Sequence, residues 1–141
     1  GSVGMVDAKT GKVKMYEPPS KNSGPRRGMM DEQDRIWFAQ YRGNKVTMFD
    51  TKEERMQEFA MPTRHTHPYD VIWDKNGELW TGGMTTDRVV RLNPKTGETV
   101  EYQLARNTNM RRMFVDNSTT PPTFWVGSNH GASIVRVEPL D

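Results

Sequence analysis

The chain has 141 residues, with 20 Lys and Arg against 18 Asp and Glu, 33% hydrophobic residues and no cysteine. That length suits one modest domain, the net charge of +2 does not suggest a nucleic-acid partner, and the missing cysteines exclude disulfides and thiolate chemistry. Four Trp, five Phe and four Tyr are too many aromatics for a disordered segment, and no apolar run reaches the roughly 18 residues of a membrane-spanning helix.

The predicted elements are all strands, read from period-two alternation and turn chemistry. Residues 1–24 carry two of them, with the second, "KVKMYE", following Lys9-Thr10-Gly11, where glycine accepts the positive φ of a tight turn. A first full unit, 25–67, opens with a strand near Arg27 to Met30 and continues through the Trp37 strand "IWFAQ", then "KVTMF" after Gly43-Asn44, then "MQEFAM". The second unit, 68–110, repeats this order as "YDVIWDKNG", "LWTGG", "RVVRL" after Thr86-Asp87, and "TVEYQL" after Lys95-Thr96-Gly97. The last segment, 111–141, holds "RRMFVDNS", "FWVGS" and "SIVRV", the third following Gly131-Ala132. No stretch reads as a helix.

These units are copies of one another. Trp37, Trp80 and Trp125 recur at intervals of 43 and 45 residues, and Asp7, Asp50 and Asn93 recur every 43, with Glu138 following 45 later. The longer "DNSTTPPTFW" loop absorbs the extra two positions. A period of this length built from short strands predicts an all-β chain of β-propeller blades, each of four antiparallel strands. About thirteen strands make roughly three blades, fewer than the roughly four to eight of a closed ring. The expectation is therefore a partial propeller, completed by further blades of a longer chain or by further copies of itself.

Taken together, "NSGPRRGMMDEQDRIWFAQYRGNKVTMFD", "HPYDVIWDKNGELWTGGMTTDRVVRLNPKTG" and "FWVGSNHGASIVRVEPLD" resemble repeats of the virginiamycin B lyase (streptogramin lyase) family. The resemblance implies a seven-bladed propeller and, in the true lyases, a magnesium-assisted elimination that opens the ester of a cyclic antibiotic. It also implies an exported, periplasmic or extracellular protein. In that family a histidine in a "Glu-Pro-His-Gly" turn opens the first strand and a glutamate ends the Trp strand. Carried over by position, the histidine is replaced by Arg26, Tyr69 and Arg111, and the glutamate by Gln40, Gly83 and Ser128. Neither a guanidinium nor a phenol serves as a base at neutral pH. The expectation that follows is a non-catalytic binding or scaffold segment without a cofactor. The alternative is a magnesium-dependent C–O lyase whose active site is completed by other blades or another chain.

Candidate ligand-binding residues are Arg26, Tyr69, Arg111, Gln40, His67 and His130, with no catalytic residue and no metal ligand assigned. Arg26-Arg27 and Arg111-Arg112 fall at matching phase, and their forked donors suit a carboxylate or phosphate on an anionic small molecule or partner protein. The plainer reading is ion pairing with Asp31, Asp70 or Asp116. His65 and His67 have the alternate spacing that puts two imidazoles on one side of an extended strand, although a solvent-facing loop before Pro68 explains them as well. His130 lies in a hairpin turn, where a turn role competes with substrate contact. The "DKNGE" segment, Asp74 to Glu78, has too few ligands for a calcium loop and the Asn-Gly of a hairpin.

Overall fold

The computed structural model describes residues 1–140 and contains no helix among them. Its strands are β1 (Val3–Val6), β2 (Val13–Tyr16), β3 (Pro25–Met30), β4 (Arg35–Gln40), β5 (Lys45–Asp50), β6 (Arg55–Ala60), β7 (Ile72–Trp73), β8 (Leu79–Gly82), β9 (Arg88–Leu92), β10 (Thr99–Gln103), β11 (Met110–Asp116), β12 (Thr123–Ser128) and β13 (Ser133–Val137). They form four antiparallel meanders, ordered β1-β2, β3-β4-β5-β6, β7-β8-β9-β10 and β11-β12-β13. Each sheet packs its face on the next, which is the arrangement of blades in a partial propeller.

The turns explain the polar members of the repeat. The side chains of Asp7, Asp50 and Asn93 each accept two backbone N–H groups, from Lys9 and Thr10, from Lys52 and Glu53, and from Lys95 and Thr96. Such Asx turns reverse the chain without help from the rest of the fold. Gly11 and Gly97 close two of these turns at φ +69° and +79°, and Glu54 takes the same left-handed conformation, at φ 52°, where the repeat elsewhere has glycine. The β4–β5, β8–β9 and β12–β13 turns place Asn44, Asp87 and Ala132 at positive φ in the same way.

A second side-chain device fixes the tryptophans. Asp31, in the turn between β3 and β4, accepts the backbone N–H groups of Gln33 and Arg35 through one oxygen and the Trp37 indole N–H, at 2.9 Å, through the other. Asp74 does the same one blade later for Asn76, Glu78 and the Trp80 indole, at 2.8 Å. This accounts for the "DKNGE" segment: its first carboxylate is committed to the hairpin and the ring. In the last blade the equivalent carboxylate, Asp116, accepts from the Ser118 backbone and hydroxyl in the lengthened loop, and the Trp125 indole donates to Thr123 Oγ1 at 3.2 Å instead.

Held in this way, Trp37 and Trp80 anchor the two cores between blades. Trp37 is buried with Ala39, Val46, Val71, Leu79, Val90 and Leu92, and meets Trp73 edge-on at 5.1 Å. Trp80 is buried with Val89, Met110, Val115, Phe124, Val126 and Val137, stacked on Phe124 at 5.5 Å. Because a buried indole N–H without an acceptor is costly, Asp74→Ala should lower unfolding free energy by about 2 kcal/mol. Urea denaturation followed by tryptophan fluorescence checks this, with Thr123→Val, at the more open Trp125, expected to cost less.

Candidate functional site

The opening strand of each blade contains one residue too many where the candidate side chains stand. Pro25 pairs with Gln40 and Gly28 with Phe38, so three steps on β3 face two on β4. Met110 pairs with Ser128 and Met113 with Val126, the same mismatch on β11. In the middle blade Pro68 bridges Gly83 while Ile72 pairs with Trp80, four steps against three. A bulge of this kind bends the strand and redirects the side chains at the extra position. Arg26-Arg27 and Arg111-Arg112 occupy two of these bulges, and all four are exposed. After the first one the chain needs glycine: a β-carbon at Gly28 would lie 2.0 Å from the Trp37 carbonyl oxygen.

At the first bulge the structure assembles a cluster. The Arg26 guanidinium lies over two phenol rings, Tyr41 at 5.3 Å and Tyr69 at 5.6 Å. A backbone bond from Arg27 N–H to the Tyr69 carbonyl, 3.0 Å, ties the two blades together here. Tyr41 also stacks on His67, with ring centroids 4.7 Å apart and planes at 21°. Arg26, Tyr69 and His67 are thus brought together, and Tyr41 is the residue that joins them. Sequence reasoning passed over Tyr41 because the repeat has no aromatic at that position, which is Met84 one blade on.

His65 and His67 do not lie on an extended strand. Both have positive φ, 58° and 52°, in the turn before Pro68, so alternate spacing does not set their directions. Their rings still meet, edge to face at 5.9 Å. The Thr85 hydroxyl donates to the His65 carbonyl, so its oxygen accepts from His67 Nδ1–H at 3.0 Å. That leaves Nε2 as the unprotonated nitrogen of His67. Partial burial, with a smaller contribution from His65, holds His67 below the ordinary imidazole value and so favours the uncharged ring.

Gln40 points the other way. It is fully buried and its amide donates to Thr47 Oγ1 at 2.6 Å and Glu58 Oε1 at 2.8 Å. Glu58 also accepts from Lys45 at 2.6 Å and from the Ser20 backbone and hydroxyl, joining β5 and β6 to the segment after β2. One period later Glu101 holds the Thr63 backbone and hydroxyl with Arg88 at 3.5 Å. Gln40 therefore belongs to a clasp between successive blades.

The other candidates are more scattered. Arg111 donates from Nε to Asn109 Oδ1 at 3.2 Å, and Asn129 also reaches that oxygen, at 3.5 Å. His130, next to Asn129, is exposed in the β12–β13 turn. Of the proposed ion-pairing partners, Asp31 bonds Arg35 and Trp37, and Asp116 bonds Ser118. Asp70 is half-buried; desolvation raises its pKa, and its own Val71 N–H and the charges of Arg27 and Arg112 only partly offset this. Among the described residues no three His, Asp or Glu side chains gather as a metal-binding group. A cleft of about 600 Å³ beside the β3–β4 turn, lined by Met29, Met48, Trp73 and Lys95, contains none of the candidates.

Bladed meanders with side chains redirected at the opening strands define the class as a β-propeller. The chain belongs to the virginiamycin B lyase family, whose model matches residues 1–140. Among solved structures it is similar to a virginiamycin B lyase from Staphylococcus aureus, with 18% identity and a TM-score of 0.81 over 99% of this chain and 49% of that one. A catalytically inactive form of that organism's lyase with quinupristin gives 19%, 0.80, 99% and 49%, and the hydrazine synthase of Kuenenia stuttgartiensis gives 14%, 0.71, 87% and 35%. At these identities the likeness establishes the fold, and the chain spans about half the length of the lyases. No curated protein matches it.

The clasp carries a pH dependence. Burial alone would raise the Glu58 pKa, but its bonds to Lys45, Gln40 and Ser20 bring it down from 4.5 to about 2. A depressed carboxylate contributes stability above its unfolded pKa, which is lost as pH falls through the folded one. Unfolding free energy should drop by on the order of 3 kcal/mol between pH 5 and pH 2 from this group. Urea titrations across that range should show a shallower acid loss in Glu58→Gln.

Proposed function

We propose that this half-propeller contributes a ligand-holding wall, with anion-directed donors and aromatic faces, rather than the acid–base groups of a lyase. The observation that carries the reading is the occupancy of the bulges: Arg26, Tyr69 and Arg111 stand where the family resemblance places a histidine. Arg26 is oriented by the two rings beneath it, which leaves its N–H edges free to bind a carboxylate or phosphate oxygen pair. The glutamate position supports the same reading, since Gln40 is consumed by the blade clasp. The ligand class is an anionic small molecule or an acidic group on a partner protein.

One observation favours the second reading, a magnesium-dependent lyase completed by other blades or another chain. His67 is held below the ordinary imidazole value, bonds Thr85 through Nδ1 and stacks on Tyr41 with Nε2 left to accept a proton, as a general base requires. Magnesium, held by carboxylates elsewhere, would then stabilise the negative charge that develops on proton removal.

Two measurements separate these readings. Pyrophosphate at constant ionic strength should raise the melting temperature of the chain, and Arg26→Ala should remove most of that rise, whereas His67→Asn should leave it unchanged. Incubation with quinupristin and magnesium, followed by mass spectrometry, should return the antibiotic intact. Linearisation that disappears in His67→Asn would establish the lyase reading in place of the binding one.

A further inference from the structure

Two successive gaps between blades have equivalent walls but are finished differently at the end of the strands opposite the bulges. In the gap between β7–β10 and β11–β13, Lys75 reaches across: its backbone N–H donates to Asn117 Oδ1 at 2.8 Å, and its Nζ to the Thr119 carbonyl and Thr120 Oγ1 at 2.6 and 2.9 Å. Arg91 lies over Trp80 and Tyr102, at 5.7 and 5.9 Å, and pairs with Glu78 at 3.4 Å. In the gap between β3–β6 and β7–β10, Glu32 stands at the repeat position of Lys75 and Met48 at that of Arg91. Glu32 bonds nothing across this gap, and the cleft of about 600 Å³ stays open between the two four-stranded blades.

The cleft has an apolar floor and a mouth with two uncommitted charges. Met29, Met48 and Trp73 line it, and the latter two also pack on the interblade core. Of its charged lining residues, Asp31 and Asp74 each hold three N–H groups of their own hairpins. Arg35 pairs with Asp31 at 2.7 Å, and Lys75 is spent on the next gap. Among the described residues this leaves Glu32 on one blade and Lys95 on the next, both exposed and with neither side chain in an ion pair.

We propose that this cleft binds a short apolar peptide with free ends, its ammonium at Glu32, its carboxylate at Lys95 and its side chains on Met29, Met48 and Trp73. Charge complementarity selects this occupant. An uncharged molecule leaves both groups unused, and a simple anion or cation uses one and meets the like charge of the other. The volume is that of a small-molecule site, and flexible methionines adapt to apolar side chains of different shapes. Because the cleft lies at the far end of β3 from Arg26, this binding is separate from that of an anion at the bulges.

Isothermal titration calorimetry with leucyl-phenylalanine, its N-acetyl form and its C-terminal amide tests the site. The free dipeptide should bind more tightly than either blocked form by about three- to fivefold, the size of an exposed ion pair. Glu32→Gln should weaken the free dipeptide by the same factor and leave the N-acetyl form unchanged, and Lys95→Gln should do so with respect to the amide. Both substitutions alter exposed turn positions, so each should keep the β circular-dichroism spectrum. Met48→Arg, which supplies the guanidinium of the next gap, should abolish binding. No measurable binding of the free dipeptide overturns the proposal. Equal affinity for free and blocked forms, or a loss in Glu32→Gln and Lys95→Gln that is the same for both, overturns recognition of the two ends.

Discussion

The hydrogen bond from an indole N–H to a turn aspartate is the constraint on which the blade architecture depends. Asp31 and Asp74 each satisfy two hairpin amides with one oxygen and a tryptophan with the other, so one carboxylate sets both the turn and the ring direction. With the ring fixed, Trp37 and Trp80 become rigid plates against which the next blade packs Trp73 and Phe124. Burial of these aromatics supplies much of the hydrophobic driving force in a chain whose mean hydropathy is only −0.86.

A second consequence of sheet geometry builds the candidate site. An antiparallel ladder in perfect register alternates its side chains strictly, which would send Arg26 and Arg27 to opposite faces. The extra residue on the opening strand breaks that alternation, and both arginines reach solvent. The bulge recurs in all three blades that have an opening strand, so the same local irregularity presents Arg26, Tyr69 and Arg111. The scaffold and the site are therefore separable: interblade clasps such as Ser20–Glu58–Lys45 hold the blades, while the bulges vary what the blades display.

Much of this was legible in the sequence because the repeat is written in local chemistry. The strand count, the turn positions at Gly43-Asn44 and Thr86-Asp87, and the burial of Trp37 and Trp80 all follow from alternation and turn residues that act over a few positions. The role of Gln40 was not legible, because its direction depends on Thr47 across the hairpin and on Glu58 one strand further. Tyr41 was invisible to a periodic reading for the opposite reason: it departs from the repeat, and its partners Arg26 and His67 are 15 and 26 residues away.

What the sequence by itself determined is the unit: four short strands per blade, their turns, the apolar face of each, and the family to which the repeat belongs. Those features are encoded within about 43 residues, and hydrogen-bonding and φ preferences decide them without distant partners. Only the tertiary structure decided which polar residues are spent on holding blades together and which gather at the bulges. Glu58 and the buried Gln40 become a clasp, and Arg26, Tyr41, Tyr69 and His67 become a cluster, because blade stacking brings together residues whose separation along the chain gives no sign of their contact.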